Sequence, residues 1–443
     1  YNVYRTVSAS GTYTYAGSTG SGQLTYIDAD EDLELGESYT YKISSYNIWH
    51  TKESDRSTSS TRIDFFLAPV WEPIFSSPSD DSPIKIKTTN SPTNQLYFVY
   101  SDALGSLHVG RIIEEDDPND EDKTIFITEL LDDASFTSKV NPDTPDFDII
   151  YTDNALYIGF ADFDESYHLS VIEITAETDD DDVLTWEFAN FGTAGFTPNP
   201  ISSISLTAST GIFSDSTLYA GHISTIAESD DQLTVWSRPM NVSSGSDIGW
   251  SNVSPPHVTE DTIISSEPEQ VIIFIDGSNL SASYNNSALA SSLDIISRSN
   301  EDGEWYLYDS LLPTFTPINE HFSTGIAGNQ LSVFSYETDN SWKIQTRNDE
   351  AWVEQDNTTE FSTVSSGITA PFSSAVTASN LYLLGAKTNG IELLMYDRDI
   401  EKWFSYGNPS VTRTITSPQL IAANNSYYAA WIEDSTAHIS IGR

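Results

Sequence analysis

Apolar and polar positions alternate along most of this chain in strand-length runs, punctuated by clusters of Gly, Asn, Asp and Ser, with no sustained apolar spacing of a helix. The clearest run is LYLLGAKTNGIELLMYDRDIEKWFSY, Leu381 to Tyr406. It predicts strands over Leu381–Ala386, Ile391–Tyr396 and Trp403–Tyr406, joined by a turn at Asn389-Gly390 and a polar hairpin at Asp397–Lys402. A copy lies upstream, LSVFSYETDNSWKIQTRNDEAWVEQ, Leu331 to Gln355. In both copies an Arg ends the second strand (Arg347, Arg398) and a Trp opens the third (Trp352, Trp403). The chain is internally repeated.

One strand of the repeat recurs seven times: LYFVYSD from Leu96, LYIGFAD from Leu156, LYAGHIS from Leu218, VIIFIDG from Val271, LSVFSYE from Leu331, LYLLGAK from Leu381 and YYAAWIE from Tyr427. Successive starts are 60, 62, 53, 60, 50 and 46 residues apart. A period of that size with several strands per unit is the signature of a β-propeller, each unit a blade with this run as its second strand. Trp186, Trp250, Trp305, Trp352 and Trp403 mark the outermost strands; the first blade has TIFITEL from Thr124 instead. The last blade stops one strand short at HISIGR, residues 438 to 443. The apolar segment Ile63–Trp71, within RIDFFLAPVWEP, supplies the missing strand, so the ring is expected to close by an N-terminal strand that leaves no open sheet edge. The propeller is assigned to residues 62–443.

Residues 1–60 read separately. YNVYRTV (1–7), TYTYAGS (12–18) and LGESYTYKISSYN (35–47) alternate as three strands. Tyr-x-Val-Tyr-Arg, then Leu33-Glu34-Leu35-Gly36-Glu37-Ser38-Tyr39, then Tyr-x-Tyr-Lys-Ile resembles the second half of a fibronectin type III domain, with Tyr39 as the tyrosine-corner residue. The resemblance covers residues 1–60 and lacks the first two strands of that family, so a partial sandwich is expected. It implies a spacer or adhesive module of an extracellular protein. The chain opens at Tyr1 in mid-strand, and a processed piece of something longer is expected.

Charge changes the picture most. Against 19 Lys and Arg stand 66 Asp and Glu, a formal net charge of -47. Such a surface repels phosphate backbones and anionic headgroups, which disfavours nucleic-acid and membrane-surface partners. The absence of Cys removes disulfide, thiolate-metal and thiol-redox chemistry. The longest apolar runs, such as Val271–Ile275, are far shorter than a membrane span, so no membrane insertion is expected.

Candidates for chemistry are few. His108, His168 and His438 stand at the start of the third strand in blades one, two and seven, which reads as a shared repeat position, because blades splay from the axis and hold such side chains apart. Arg298, Arg347 and Arg398 invite comparison with the arginine cluster of sialidases, but their strand-to-hairpin position puts them on blade flanks. SRSNEDGEW, 297–305, has Asp302 and Gly303 adjacent, unlike the Asp-box turn of that family. Acidic runs at Asp28–Glu34, Glu114–Asp122 and Glu177–Asp182 read as solvated hairpin tips, with a low-affinity calcium site as the only ion reading, since the glycine and distal glutamate of an EF-hand are missing. Sequons begin at Asn241, Asn252, Asn279, Asn285, Asn357 and Asn424, as many as so Ser/Thr-rich a chain supplies by chance.

No catalytic, cofactor-binding or metal-ligating residue is assigned, and no nucleophile, zinc, P-loop or dinucleotide motif is present. The preferred reading is a non-catalytic extracellular or cell-surface component, the propeller an interaction platform for a protein or glycan partner and the N-terminal part a spacer, within a larger extracellular assembly. The alternatives are a carbohydrate-binding lectin or adhesin, or a propeller glycosidase or lyase.

Overall fold

The structure is a computed structural model; it describes all residues except 7–11, 19–37, 48–51, 55, 58–62, 65–70, 79, 94, 118–119, 132–137, 177–183, 190–192, 210–215, 226–231, 241–248, 256–267, 278, 287–291, 300–301, 308–316, 328–329, 338, 340, 349–350, 356–360, 362–364, 378–379, 388–389, 399–400, 408, 410–412, 414, 424–425 and 443. The chain divides into Tyr1–Pro69 and Val70–Arg443. It is all-β: a fibronectin type III-like sheet followed by a seven-bladed β-propeller.

In the first unit Asn2–Thr6 lies between Thr14–Ser18 and Ser38–Ser44, all antiparallel. Val3, Tyr4 and Tyr39 are buried, and the Arg5 guanidinium sits 5.3 Å above the Tyr39 ring. The corner segment before Ser38 is outside the described residues, as are the acidic runs 28–34 and 177–182.

Each blade is a four-stranded antiparallel meander. The innermost strands are Lys85–Asn90, Phe147–Thr152, Ile201–Ser209, Pro268–Asp276, Pro317–Ala327, Thr369–Val376 and Ile415–Ala423. Each packs on the next and the seventh packs on the first. The apolar side chains gather between blades. Val99 and Leu107 of blade one meet Leu156 and Ile158 of blade two, and Ile439 and Ile441 of blade seven meet Ile86 and Phe98 of blade one. A blade thus buries both faces, which is why its second strand reads as a continuous apolar run, as in Ala155–Asp162, where every residue is buried.

Two expectations are corrected in register. In blade four VIIFID belongs to the innermost strand, Pro268–Asp276, and the second strand is Asn279–Asn286. NLSASYNN looks polar, yet Ser281 and Ser283 are fully buried beside Leu280, Ala282 and Tyr284. Small hydroxyls fit where blades approach closely and find partners there, so hydrophobicity alone misassigned the run. The ring does close through an N-terminal strand, but that strand is Trp71–Ser76, paired with Thr436–Gly442. Ile63–Asp64 pairs instead with Ser38–Tyr39 of the first unit.

Hydroxyls and ion pairs stitch the inner strands together. Asp148 of blade two accepts from Leu206 N of blade three at 2.8 Å and faces Lys87 Nζ of blade one at 3.3 Å. Val271 N and Ile273 N of blade four donate to Ser203 Oγ and Ser205 Oγ of blade three, at 2.9 and 3.1 Å. Ser374 donates to Ser323 at 2.8 Å, and Leu420 N to Ser373 Oγ at 3.1 Å. These contacts use side chains to continue hydrogen bonding where sheets end, sparing inner-strand amides from burial without a partner.

Candidate functional site

The second strand of a blade ends, and the third begins, at the same end of the ring where the chain crosses to the next blade. There one position recurs around the ring. The last residue of the second strand, or the one after it, meets a side chain near the start of the third: Asp102 with His108 at 3.4 Å, Asp162 with Ser170 at 2.8 Å, Ser224 with Thr234 at 2.9 Å, Glu337 with Lys343 at 3.5 Å, and Lys387 with Glu392. Glu433 and His438 hold the same position in blade seven.

This places the histidines. His108 and His438 are equivalent, and each stacks on the aromatic residue opposite it, Tyr100 at 4.8 Å and Trp431 at 5.6 Å. His168 is not equivalent to them: it pairs with Asp162 across the hairpin, and Ser170 takes the place of His108. Its Nδ1 meets the Thr197 carbonyl. Burial pulls the His438 imidazole below the usual histidine range, against the opposing charge of Glu433, and Ser76 of the closing strand lies 3.0 Å from its Nδ1. Burial pushes the Asp162 carboxyl up, against the pull of the Ser170 hydroxyl. Each group is consumed by its blade, and among the described residues no group of His, Asp and Glu stands together to hold a metal.

Two arginines act between blades. Arg398 of blade six reaches Gln330 and Ser332 of blade five, the latter at 3.3 Å, and burial lowers its pKa. Arg238 of blade three stands opposite Leu218, the register in which Arg298 faces Leu280 in blade four, and meets Glu173 of blade two at 3.1 Å. Arg298 pairs with Trp305 and Arg347 with Trp352 across the outer hairpin. At the turn Ser299–Glu304, Glu304 N donates to Asp302 Oδ1 at 3.0 Å, and Asp302 also accepts from the Tyr306 hydroxyl, which holds its carboxyl below the usual range. Asn285, a sequon residue, is buried, its Oδ1 taken by Gln270 N.

A different feature stands out at the crossover end of blades one and two. The turn Asp102–Ser106 is sewn to the segment leading into blade two: Val140 N donates to Gly105 O at 2.8 Å, and Leu107 N to Ser138 O at 3.3 Å. That segment holds the next turn, since Phe163 N donates to Lys139 O at 2.9 Å. On this ledge Leu104 is 78% exposed and Phe163 46% exposed. Phe163 leans edge-to-face on Tyr167, centroids 5.7 Å apart. Tyr167 has φ of +67° after Ser166 at +58°, left-handed geometry that a bulky side chain adopts only when its surroundings hold it. Its packing against the core of blades two and three and the bonds from Tyr167 N to Asp162 O and from Ile201 N to Tyr167 O supply that hold. Asp164, Glu165 and Lys139 are exposed around the pair. Sequence reading missed it because FDESY looks like an ordinary polar turn; an aromatic at each end of a hairpin turn was the available signal.

No family model and no curated protein matches this chain. Among solved structures, an ulvan lyase of polysaccharide lyase family PL25 aligns at TM-score 0.50 with 12% identity, over 82% of this chain and 93% of that one; another structure of a PL25 ulvan lyase, bound to -[GlcA(1-4)Rha3S]-, aligns at 0.50 with 11% identity over the same shares. The fucose-specific lectin from Aleuria aurantia aligns at 0.46 with 9% identity, over 75% of this chain and 96% of that one. A Trypanosoma rangeli sialidase aligns at 0.40 with 11% identity, over 75% and 57%. At these identities the likeness concerns the propeller fold.

Proposed function

We propose that the propeller is an extracellular glycan-binding platform that does no chemistry on its ligand, with the fibronectin-like sheet as spacer. The observation that carries this reading is the Phe163–Tyr167 pair, an exposed aromatic face propped by a tyrosine in left-handed geometry on a ledge stitched across two blades. A rigid aromatic face flanked by exposed carboxylates and a lysine suits a sugar, whose C–H faces stack while its hydroxyls find polar partners. The carbohydrate ligands named for propellers of similar fold support the same direction. The sulfated uronate polymer of the lyase complex is not carried over, because a chain of net charge -47 repels it. The consumption of both equivalent histidines by their blades supports binding over catalysis.

The test is a glycan array with neutral, amino and acidic glycans, followed by titration of Phe163→Ala against its best ligand. Loss of about tenfold in affinity at unchanged thermal stability is expected. An array with no ligand, or a variant that binds like the parent, overturns the reading.

A further inference from the structure

The first unit carries 5 of the 19 basic residues but only 9 of the 66 acidic ones, and Lys42 and Arg56 gather on one face of its sheet while Arg5 lies on the other. Tyr4 stands opposite both Tyr15 and Lys42, so the three share a side of the sheet. The Arg56 guanidinium lies 3.8 Å above the Tyr4 ring, Lys42 Nζ lies 4.3 Å above Tyr13, and Tyr15 meets Tyr4 edge-on at 5.7 Å. Arg56 Nη1 also donates to Tyr13 O, and Tyr13 hydroxyl contacts Thr40, which fixes the ladder. Tyr15 is 58% exposed. Neither Lys42 nor Arg56 has a carboxylate partner among the described residues, in a chain with more than three acids per base. Cations over aromatic faces keep their charge available outward while their apolar flanks are covered.

The complementary surface is present in the same chain. The outer hairpin of blade one, Leu107–Asp117 with Asp120–Leu130, has an outermost strand of 11 residues, where the outermost strands of the other blades run from 2 to 6. The lengthened part carries the run EEDDPNDED from Glu114 to Asp122, and Glu114 and Glu115 are exposed. We infer that the Tyr4–Tyr15–Lys42–Arg56 face of one copy receives the acidic outer hairpin of blade one from a second copy. The contact joins two different surfaces, so it is head-to-tail and repeats from copy to copy. Overall repulsion between copies opposes it at low salt. At about 0.15 M salt, charges beyond roughly 8 Å are screened while those in contact are not.

The full chain is examined by sedimentation equilibrium over a concentration series at low and physiological salt, with folding followed by circular dichroism. At physiological salt the mass is expected to grow with concentration past that of a dimer. Lys42→Gln/Arg56→Gln neutralises the face, and Glu114→Gln/Glu115→Gln, remote in sequence, weakens the arm without creating an opposite charge; each stays monomeric. Mixed together, the two variants retain one intact face and one intact arm between them and form a one-to-one complex that grows no further. A parent that is monomeric throughout, association that survives either double variant, or a mixture that stays monomeric overturns the proposal. So does a monomeric parent whose face instead captures an anionic polysaccharide.

Discussion

Ser417 Oγ both accepts from Ile86 N and donates to Ile86 O, each at 3.2 Å, and so ties the innermost strand of the last blade to that of the first. Ile86 is fully buried, so its amide has no water to fall back on. Ser417→Ala should cost about 2 kcal/mol, most of it from the orphaned amide. Ser417 has φ of +49°, so Ser417→Gly separates the lost hydroxyl from the backbone strain and should cost less than Ala. Urea denaturation of both variants checks the order.

The closing strand makes the second prediction. His438 stands opposite Ser76 in a ladder that runs to Trp71–Gly442, and Ser77 Oγ accepts from Ala437 N at 3.0 Å. Deleting residues 71–76 bares the edge of Thr436–Gly442 and the apolar flank of Ile439 and Ile441. The expected outcome is aggregated protein; a monomeric product with parental circular dichroism would show that the closure is dispensable.

Asp148 binds three blades at once, through Leu206 N and Lys87 Nζ. Asp148→Ala should destabilise by about 2 to 3 kcal/mol, since it strands a lysine and an amide together. Lys87→Met on the same background should add little, because the two share one interaction; a double-mutant cycle measures this.

Trp403 Nε1 of blade six donates to Gln355 O of blade five at 2.6 Å, and Trp305 Nε1 of blade four to Val253 O of blade three at 2.9 Å. In blades four and six the outer-strand Trp is therefore a latch onto the preceding blade. Trp403→Phe should cost about 1 to 2 kcal/mol for the bond, and Trp403→Ala about 3 to 5 kcal/mol for the cavity, by thermal unfolding.

His222 is buried in blade three and burial pulls its pKa down to about 3. Below about pH 6.5 the unfolded chain takes up a proton that the folded chain refuses, so stability is full above that pH and falls as the pH drops toward the folded value. The expected slope is at most about 1.4 kcal/mol per pH unit from this residue. His438, also lowered by burial, contributes in the same direction. His222→Phe should flatten the acid limb of the stability profile; an unchanged limb would place the proton uptake elsewhere.

The repeat was legible because strand-length apolar runs, punctuated by turn residues, carry their period in one dimension. Blade number, the all-β class, the closure by an N-terminal strand and the blade-flank place of the arginines all follow from that period. The tertiary structure decided what depends on partners distant in sequence. Serine-rich Asn279–Asn286 is a core strand because blades three, four and five supply its surroundings. Trp71–Ser76, not Ile63–Trp71, closes the ring because Thr436–Gly442 offers it a ladder, while Ile63–Asp64 finds one beside Ser38–Tyr39. Phe163 stands exposed and leans on half-buried Tyr167 because a left-handed turn and the carbonyl of Lys139 bring them together. Local pattern sets which residues are strands; register, pairing and exposure are set by contacts between segments that the sequence keeps far apart.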